Sequence, residues 1–236
     1  MRFPGPLTAG RLLRRYKRFL ADVALPDGRV VTAHCANPGA MLGLLGEGSR
    51  VLVSASTNPA RKLAWSWELV EADLPGGPQW VGIDTARPNA LVAEAFRAGR
   101  LAPLAAATSW RAEVAYGRAS RVDFLAGDAD GPIHVEVKNC HLMRRPGLAE
   151  FPDCVAARSA RHMDELAAVV RGGGRALVIW VVQMRAARFA VAGDLDPAFA
   201  AAFRRARAAG VAARAYACRV TPEEVTLAGE IPVEAG

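Results

Sequence analysis

The sequence pattern of this chain changes at Arg87-Pro88, and that change limits the folds open to it. Before this point, short alternating runs are separated by Gly and Pro turns, such as Pro26-Asp27-Gly28, which predicts a β-hairpin. The predicted strands are residues 16–25, 29–35, 50–55, 63–69 and 80–83. Five short strands in so little chain predict a small barrel, and an OB-fold matches that description.

After Pro88 the pattern becomes mixed α/β. Asn89 is the predicted N-cap of a helix that Gly99 ends, and Asp196-Pro197 opens a later helix that Gly210 closes. Between and after these helices we predict strands at 110–116, 121–125, 133–139, 176–183 and 211–218, and a further helix at 159–171. The order α-β-β-β-α-β-α-β matches a restriction-endonuclease-like core. The fold class is therefore mixed α+β, with an OB-like barrel at 1–84 and a nuclease-like α/β domain at 85–236.

Two of the predicted strands carry acidic residues that metal chemistry could use. Asp123 lies on one strand, and Glu136 and Lys138 share one face of the next because strand side chains alternate. This arrangement is typical of PD-(D/E)XK nucleases, in which carboxylates hold Mg²⁺ or Mn²⁺ and the ammonium orients the attacking water. We therefore predict Asp123, Glu136 and the Val137 carbonyl as metal ligands, with Lys138 as the water-orienting residue.

Lysine is rare in this chain, which makes the Glu-x-Lys motif more specific. The 30 basic residues include only three lysines, Lys17, Lys62 and Lys138. With that composition, about 0.15 copies of the motif are expected by chance. Arg stays protonated and planar, whereas the compact Lys ammonium can shift its pKa beside a metal. The alternative is an exposed Glu–Lys pair that contributes little to stability.

The net charge of +7 and the pI near 9.8 indicate a polyanionic partner, with nucleic acid ahead of an acidic membrane surface. The longest wholly apolar run, residues 176–182, is too short to cross a bilayer, so no membrane association is expected. The basic N-terminus lacks the apolar segment of a signal peptide. Four Cys without a CxxC pair favour reduced thiols in the cytoplasm and no zinc site.

Basic residues in three places are candidates for contacts with nucleic-acid phosphates. Most lie in residues 11–18, where Tyr16 offers a ring that could stack on a base. The candidates are Arg11, Arg14, Arg15, Lys17, Arg18, Arg61, Lys62, Arg144 and Arg145. The alternative for such a cluster is an ordinary solvated basic surface.

Three further polar residues have two interpretations each, and a fourth has one. Glu94 lies on the first predicted helix and is either a fourth catalytic residue or a solvated helix position. Gln183 either contacts the substrate backbone or merely ends a buried strand. His134 alternates in phase with Glu136 and either faces the site or has a structural role. His162 is predicted to be an ordinary residue of a helix surface.

Several segments together resemble the sugar fermentation stimulation protein A family over nearly the whole chain. They are residues 34–41, 56–62, 67–69, 121–125, 136–139, 151–153 and 162–166. The resemblance implies an N-terminal OB-like domain, a C-terminal PD-(D/E)XK-like domain, DNA binding without strong sequence preference and an association with sugar catabolism. The chain departs from the family pattern at Val122, where the superfamily name has Pro, and at Ala156 and Ser159, which replace Thr and Gly.

Three functions follow from these features. The first is a Mg²⁺-dependent phosphodiesterase acting on DNA. The second is a DNA-binding regulator that uses the nuclease fold as a scaffold, since a fold does not guarantee its chemistry. The third, which rests on the barrel alone, is an OB module that binds RNA or protein. Sequence patterns leave the choice among them, and the oligomeric state, open.

Overall fold

The N-terminal part of this computed structural model, which describes residues 1–117 and 120–234, is a closed barrel. Its strands are β1 (Thr8–Tyr16), β2 (Leu20–Ala24), β3 (Val30–Cys35), β4 (Arg50–Ala55), β5 (Trp65–Leu74) and β6 (Gly77–Gly82). They form one sheet in the order β3-β2-β1-β4-β5-β6, and a parallel pairing of β3 with β5 closes the first five strands. Five strands closed in this way form an OB-type barrel, as predicted.

The remaining chain forms a mixed α/β layer structure. Its elements are α1 (Arg87–Arg97), β7 (Ser109–Tyr116), β8 (Ser120–Asp128), β9 (Gly131–Cys140), β10 (Leu142–Arg145), β11 (Leu148–Phe151), α2 (Ala157–Arg171), β12 (Arg175–Val182), β13 (Arg188–Val191), α3 (Pro197–Ala208), β14 (Ala212–Val220) and β15 (Val225–Ile231). The main sheet has the order β15-β14-β12-β9-β8-β7, and a small sheet has the order β10-β11-β13. None of the helices in the described part of the chain is long and apolar enough to cross a membrane.

Strand β12 is the centre of the main sheet and divides its two cores. It pairs in parallel with both β9 and β14, so its side chains meet protein on both faces. Val178 and Trp180 lie in the core that also contains Phe199 and Phe203 of α3. Ile179 and its alternate neighbours lie in the second core, which contains the buried face of α1. The apolar run therefore holds helices on both faces of the sheet that carries Asp123 and Glu136.

The predicted element boundaries were wrong in three places. The predicted strand at residues 16–25 covers a turn of three residues and β2, and it misses β1 except for its last residue, Tyr16. Four strands, β10, β11, β13 and β15, were not predicted at all. Asn89 is not an N-cap, because α1 begins at Arg87 with Pro88 in its first turn, where a missing N–H costs nothing. The Asn89 side chain bonds to Asp123 instead.

Asp196 caps α3 as predicted and also holds the chain before α2. Its Oδ1 accepts a hydrogen bond of 2.9 Å from the Phe199 amide, which is one of the unpaired donors at the helix start. Its Oδ2 accepts a second hydrogen bond of 2.7 Å from the Ala156 amide. One buried carboxylate thus supports the starts of two helices.

Replacement of Asp196 by Ala should lower the free energy of unfolding by about 2 kcal/mol, because both amides lose their acceptor. Urea denaturation measures the change. Asp164→Ala is the matched control, since the exposed Asp164 only pairs with Arg205 on the surface and its loss should cost at most about 0.5 kcal/mol. Equal losses in the two variants would show that the cap contributes nothing.

Candidate active site

Asp123 lies where strands β8 and β9 separate. The last pair of this antiparallel ladder is Phe124 with Val135, whereas β8 continues to pair with β7 beyond Asp123. In the gap, Asp123 Oδ2 accepts a hydrogen bond of 2.7 Å from the Val137 amide, and Oδ1 accepts one of 2.9 Å from the Asn89 side chain. The carboxylate therefore replaces a main-chain acceptor and stays between the two strands.

Glu136 lies next to Asp123 on β9 and is only 2% exposed. Its Oε1 is 2.6 Å from Lys138 Nζ and 2.5 Å from His162 Nδ1. Its Oε2 is buried and has no hydrogen-bond partner among the described residues. Such an orphaned buried oxygen is rare in folded proteins and requires an explanation, which an ion or a water molecule could supply.

His162 is part of this site, so its prediction as a helix-surface residue was wrong. Its Nε2 lies 3.4 Å from the Nε of Arg158, which always carries a hydrogen. His162 Nε2 is therefore the acceptor, and the hydrogen on Nδ1 points to Glu136. The available signal was helix spacing: His162 is one turn before Leu166, and Leu166 is a core residue, so both share the buried face of α2.

The environment shifts the pKa values of the two carboxyl groups in opposite directions. Burial, followed by the nearby charge of Glu136, raises the pKa of Asp123 against the opposing hydrogen bonds from Val137 and Asn89. Burial also acts to raise the pKa of Glu136, but the His162 hydrogen bond and the Lys138 charge outweigh it and lower the value. Opposite shifts in two adjacent carboxylates are characteristic of sites that handle protons or metals.

Two further oxygen-bearing side chains extend the polar site toward β7 and α2. The Tyr116 hydroxyl and Glu165 Oε2 are both buried and, by hydrogen-bond geometry, have no partner in the described part of the chain, although Glu165 is close enough to raise the pKa of Tyr116 as an acceptor. Burial raises the pKa of Tyr116, and the charges of Glu136, Glu165 and Asp123 raise it further, which places the hydroxyl near all three. Sequence patterns had not indicated Tyr116 or Glu165.

His134 faces the same region as Glu136, in agreement with its strand phase. Its ring lies 5.5 Å from the Tyr116 ring at a tilt of 48°. Burial lowers its pKa, so the neutral imidazole is favoured. His134 therefore packs behind Tyr116, which matches the structural alternative.

Glu94 is not brought to this group of residues. Its carboxylate lies 3.2 Å from the Met1 amine and 3.5 Å from Arg100 Nη2. Asn89, five positions earlier on the same helix, is the α1 residue that contacts Asp123. The first helix thus contributes an amide to the site where a carboxylate was expected.

Three of the nine basic candidates contact groups of the protein itself, and their role as phosphate ligands stays a prediction. Arg14 pairs with Asp22 at 2.8 Å and covers the Tyr16 ring. Arg15 donates to the carbonyl groups of its own turn and of a neighbouring loop. Arg144 makes two hydrogen bonds to the buried Glu150 and two to Asp194.

The other basic candidates have solvent-exposed side chains, as Arg14 and Arg144 also do. Arg11 donates to the Gly48 carbonyl, and Arg145 lies 3.6 Å from Glu150. The remaining four are at the ends of the barrel: Lys17 and Arg18 in the β1–β2 loop, and Arg61 and Lys62 in the β4–β5 loop. The Tyr16 hydroxyl bonds to Asp22 and Arg14 lies over one face of the ring, and base stacking on Tyr16 stays a prediction.

Gln183 joins the barrel to the α/β domain. Its amide nitrogen donates to Asn139 Oδ1 at 2.7 Å and to the Asp84 carbonyl at 2.8 Å, and its main-chain carbonyl accepts from Gly82 at 2.9 Å. A Cβ at Gly82 would come within 2.4 Å of Gln183 Oε1, so only Gly permits this approach. The polar group at the strand end is therefore an interdomain contact.

A second polar contact between the domains forms around Asp153. Its Oδ2 accepts a hydrogen bond of 2.7 Å from the Met41 amide and lies 3.2 Å from His141 Nε2. Burial acts to raise the pKa of Asp153, but the His141 hydrogen bond outweighs it, and the pKa falls to about 2. The loop at residues 37–41, whose role sequence patterns left open, thus docks on the segment at residues 151–153.

Replacement of Asp123 by Asn should increase stability relative to the wild type as the pH rises. The folded-state pKa of Asp123 is above its unfolded value, so ionisation of Asp123 lowers the stability of the wild type. This loss of stability is absent below the unfolded-state pKa and complete above the folded-state pKa. The difference in free energy of unfolding, variant minus wild type, should therefore increase above about pH 4. Urea denaturation from pH 3 to pH 7 measures it.

Asp153→Asn is the control of opposite sign. Its pKa of about 2 lies below the unfolded value, so its ionised form stabilises the protein above that value and the effect is lost at low pH. Asp153→Asn should therefore cost more stability at pH 7 than at pH 3. The same pH slope in both variants would contradict the opposite shifts.

Comparisons with family models, curated relatives and solved structures all match this chain to the same protein family. Residues 13–83 match the family model described as the SfsA N-terminal OB domain, and residues 86–224 match the sugar fermentation stimulation protein RE domain. Sugar fermentation stimulation protein homologs from Methylobacterium nodulans and Azorhizobium caulinodans are 78% and 52% identical, each over 99% of this chain and 99% of the relative. The structure of Pyrococcus furiosus SfsA in complex with Ca²⁺ is similar with a TM-score of 0.88 at 26% identity, over 100% of this chain and 98% of that one.

Proposed function

This chain belongs to the sugar fermentation stimulation protein family, and we propose that it is a DNA-binding protein whose Asp123–Glu136 site hydrolyses phosphodiester bonds with a divalent cation. The observation that carries the proposal is the buried, unpartnered Glu136 Oε2 beside Asp123 and Lys138. The family association with sugar catabolism and a cytoplasmic location stay predictions from sequence.

The donor atoms fit a hard cation such as Mg²⁺ or Mn²⁺. Carboxylate oxygens are the ligands these ions prefer, and Glu136 Oε2 has no competing partner among the described residues. Each oxygen of Asp123 accepts one hydrogen bond and keeps a lone pair. The Val137 main chain adjoins Asp123 through its amide, and the role of its carbonyl as a third ligand stays a prediction. The Ca²⁺ complex of the Pyrococcus relative supports a cation site in this family.

A bound cation would lower the pKa of a coordinated water and stabilise the charge that develops on the phosphate. The side chains around it have separate tasks. Asp123 and Glu136 would hold the cation, and the Lys138 ammonium, 2.6 Å from Glu136, would orient the water. His162 keeps Glu136 in position through Oε1. Burial of Asp123 and Glu136 keeps solvent from screening these interactions.

DNA binding rests on the charge of the barrel loops. The net charge of +7 favours a polyanion, and Lys17, Arg18, Arg61 and Lys62 extend from the β1–β2 and β4–β5 loops. In OB-folds these two loops flank the face that binds oligonucleotides. Phosphate contacts of this kind do not read sequence, so binding without strong sequence preference is expected.

One observation favours a non-catalytic DNA-binding regulator as the second candidate. Lys138 and His162 both contact Glu136 Oε1, so this carboxylate is already balanced by a cation of the protein. A site that stays in this state would be a scaffold for DNA binding. The two candidates predict different effects of Lys138 on cleavage and on affinity.

Incubation of plasmid and linear DNA with Mg²⁺ or Mn²⁺ should give cleavage by the wild type. Asp123→Ala and Lys138→Ala should each lower the rate at least about 100-fold, because they remove a metal ligand and the water-orienting ammonium. Glu94→Gln is the matched control and should cleave normally. Equal cleavage by all proteins would indicate contamination, whereas DNA binding without cleavage would favour the regulator.

His162→Ala should weaken Mn²⁺ binding about 10- to 100-fold, since the partner that orients a metal ligand is lost. Isothermal titration calorimetry measures the affinity directly and does not depend on activity. His34→Ala removes an imidazole from the barrel and should leave Mn²⁺ affinity unchanged. Unchanged affinity in His162→Ala would show that the hydrogen bond to Glu136 has no role in holding the cation.

A further inference from the structure

The β1–β2 loop breaks the usual rules for a hairpin turn. It consists of Lys17, Arg18 and Phe19, and the first two have φ angles of 48° and 62°. Left-handed backbone in hairpin turns normally selects Gly, Asn or Asp, because other side chains are strained there by about 1–3 kcal/mol each. Two consecutive basic residues in this conformation lower the stability of the turn, which indicates that their positive charges serve a function at this position.

Hydrogen bonds from Arg15 and from the Cys35 amide hold the strained loop in place. Arg15 Nε donates to the Arg18 carbonyl at 2.8 Å, and Arg15 Nη2 donates to the Asn37 and Gly39 carbonyls at 2.7 and 3.0 Å. The Cys35 amide donates to the Phe19 carbonyl at 2.8 Å. Arg15, which sequence analysis assigned to DNA, thus serves to hold the backbone of the residues that can reach DNA.

Phe19 is the aromatic ring that this loop exposes. It is 44% exposed although it is large and apolar, and its ring is stacked on His34 at 6.4 Å with an angle of 18° between the planes. A flat ring supported from behind and flanked by two cations matches the way single-stranded nucleic acids are bound, with bases on aromatic faces and phosphates on basic side chains. A duplex hides its base faces and would use the charges alone.

The loop that carries Phe19 is linked by hydrogen bonds to the segment that leads into α2. Arg15 donates to the Arg18 carbonyl and to carbonyls of the loop at residues 37–41, and the Met41 amide of that loop donates to Asp153 just before α2. The same segment exposes Val155, at 74%, just before α2 begins at Ala157.

We propose that Phe19, supported by His34 and flanked by Lys17 and Arg18, stacks on an unpaired base, so that the nucleic acid bound by this protein is single-stranded DNA. This inference rests on the proposed function for the chemistry at Asp123, but it concerns binding and is measurable without cleavage. Other exposed apolar side chains of the barrel, such as Leu13, are aliphatic and offer no ring to a base.

Fluorescence anisotropy with a labelled oligothymidine and a labelled duplex of the same length tests the proposal in the absence of divalent cations. Phe19→Leu keeps an apolar side chain but removes the ring, and it should weaken single-strand binding about tenfold. Its duplex affinity should change less than about twofold. Phe19→Trp keeps a stacking surface and should retain single-strand affinity. Leu13→Ala is the control for an exposed apolar residue and should bind both probes normally.

The outcomes separate this inference from the proposed function. Equal loss on both probes, or no loss on the single strand, in a folded Phe19→Leu protein would overturn the stacking platform and leave DNA binding intact. Binding of neither probe by the wild type would reject DNA as the partner altogether. Cleavage with Mn²⁺ that persists in Phe19→Leu at saturating DNA would confine the role of Phe19 to binding, as proposed.

Discussion

The site depends on one hydrogen bond in the main sheet, in which a side-chain carboxylate takes the place of a main-chain acceptor. Where β8 leaves β9, the Asp123 carboxylate accepts the Val137 amide hydrogen that a strand carbonyl would otherwise take. A buried amide must have an acceptor, so the acid stays in place even at the expense of its own desolvation. Because the strands separate at this point, there is space beside Glu136 into which α1 places Asn89 and α2 places His162.

Asp123 has a hydrogen bond on each of its carboxylate oxygens, whereas Glu136 has partners on only one. Lys138 and His162 share one oxygen of Glu136, while the second oxygen and the nearby Tyr116 and Glu165 oxygens have no partner in the described residues. Buried polar groups left in this state cost free energy unless something binds to them. Stability is lower here than a filled apolar core would allow, which is common at functional sites.

The barrel and the α/β domain meet through polar groups close to the site. Gln183 contacts Asn139, the residue after Lys138, and the Asp84 carbonyl in the connection between the domains. Asp153 holds the barrel loop at Met41, and Arg15 links that loop to the β1–β2 turn. The basic side chains of the barrel loops, which are proposed to bind nucleic acid, are thereby held in a defined relation to the residues proposed to act on it.

Sequence alone determined the properties that depend on neighbouring residues. Alternation put Asp123, Glu136 and Lys138 on two adjacent strands, and local capping chemistry identified Asp196 at the start of α3. Tertiary structure decided which partner each polar group meets: Asn89 binds Asp123 instead of capping its helix, His162 binds Glu136, and Arg144 pairs with Glu150 and Asp194. The reason is physical, because strand period and helix caps are set within a few residues, whereas a hydrogen bond between distant segments exists only once the chain has folded around it.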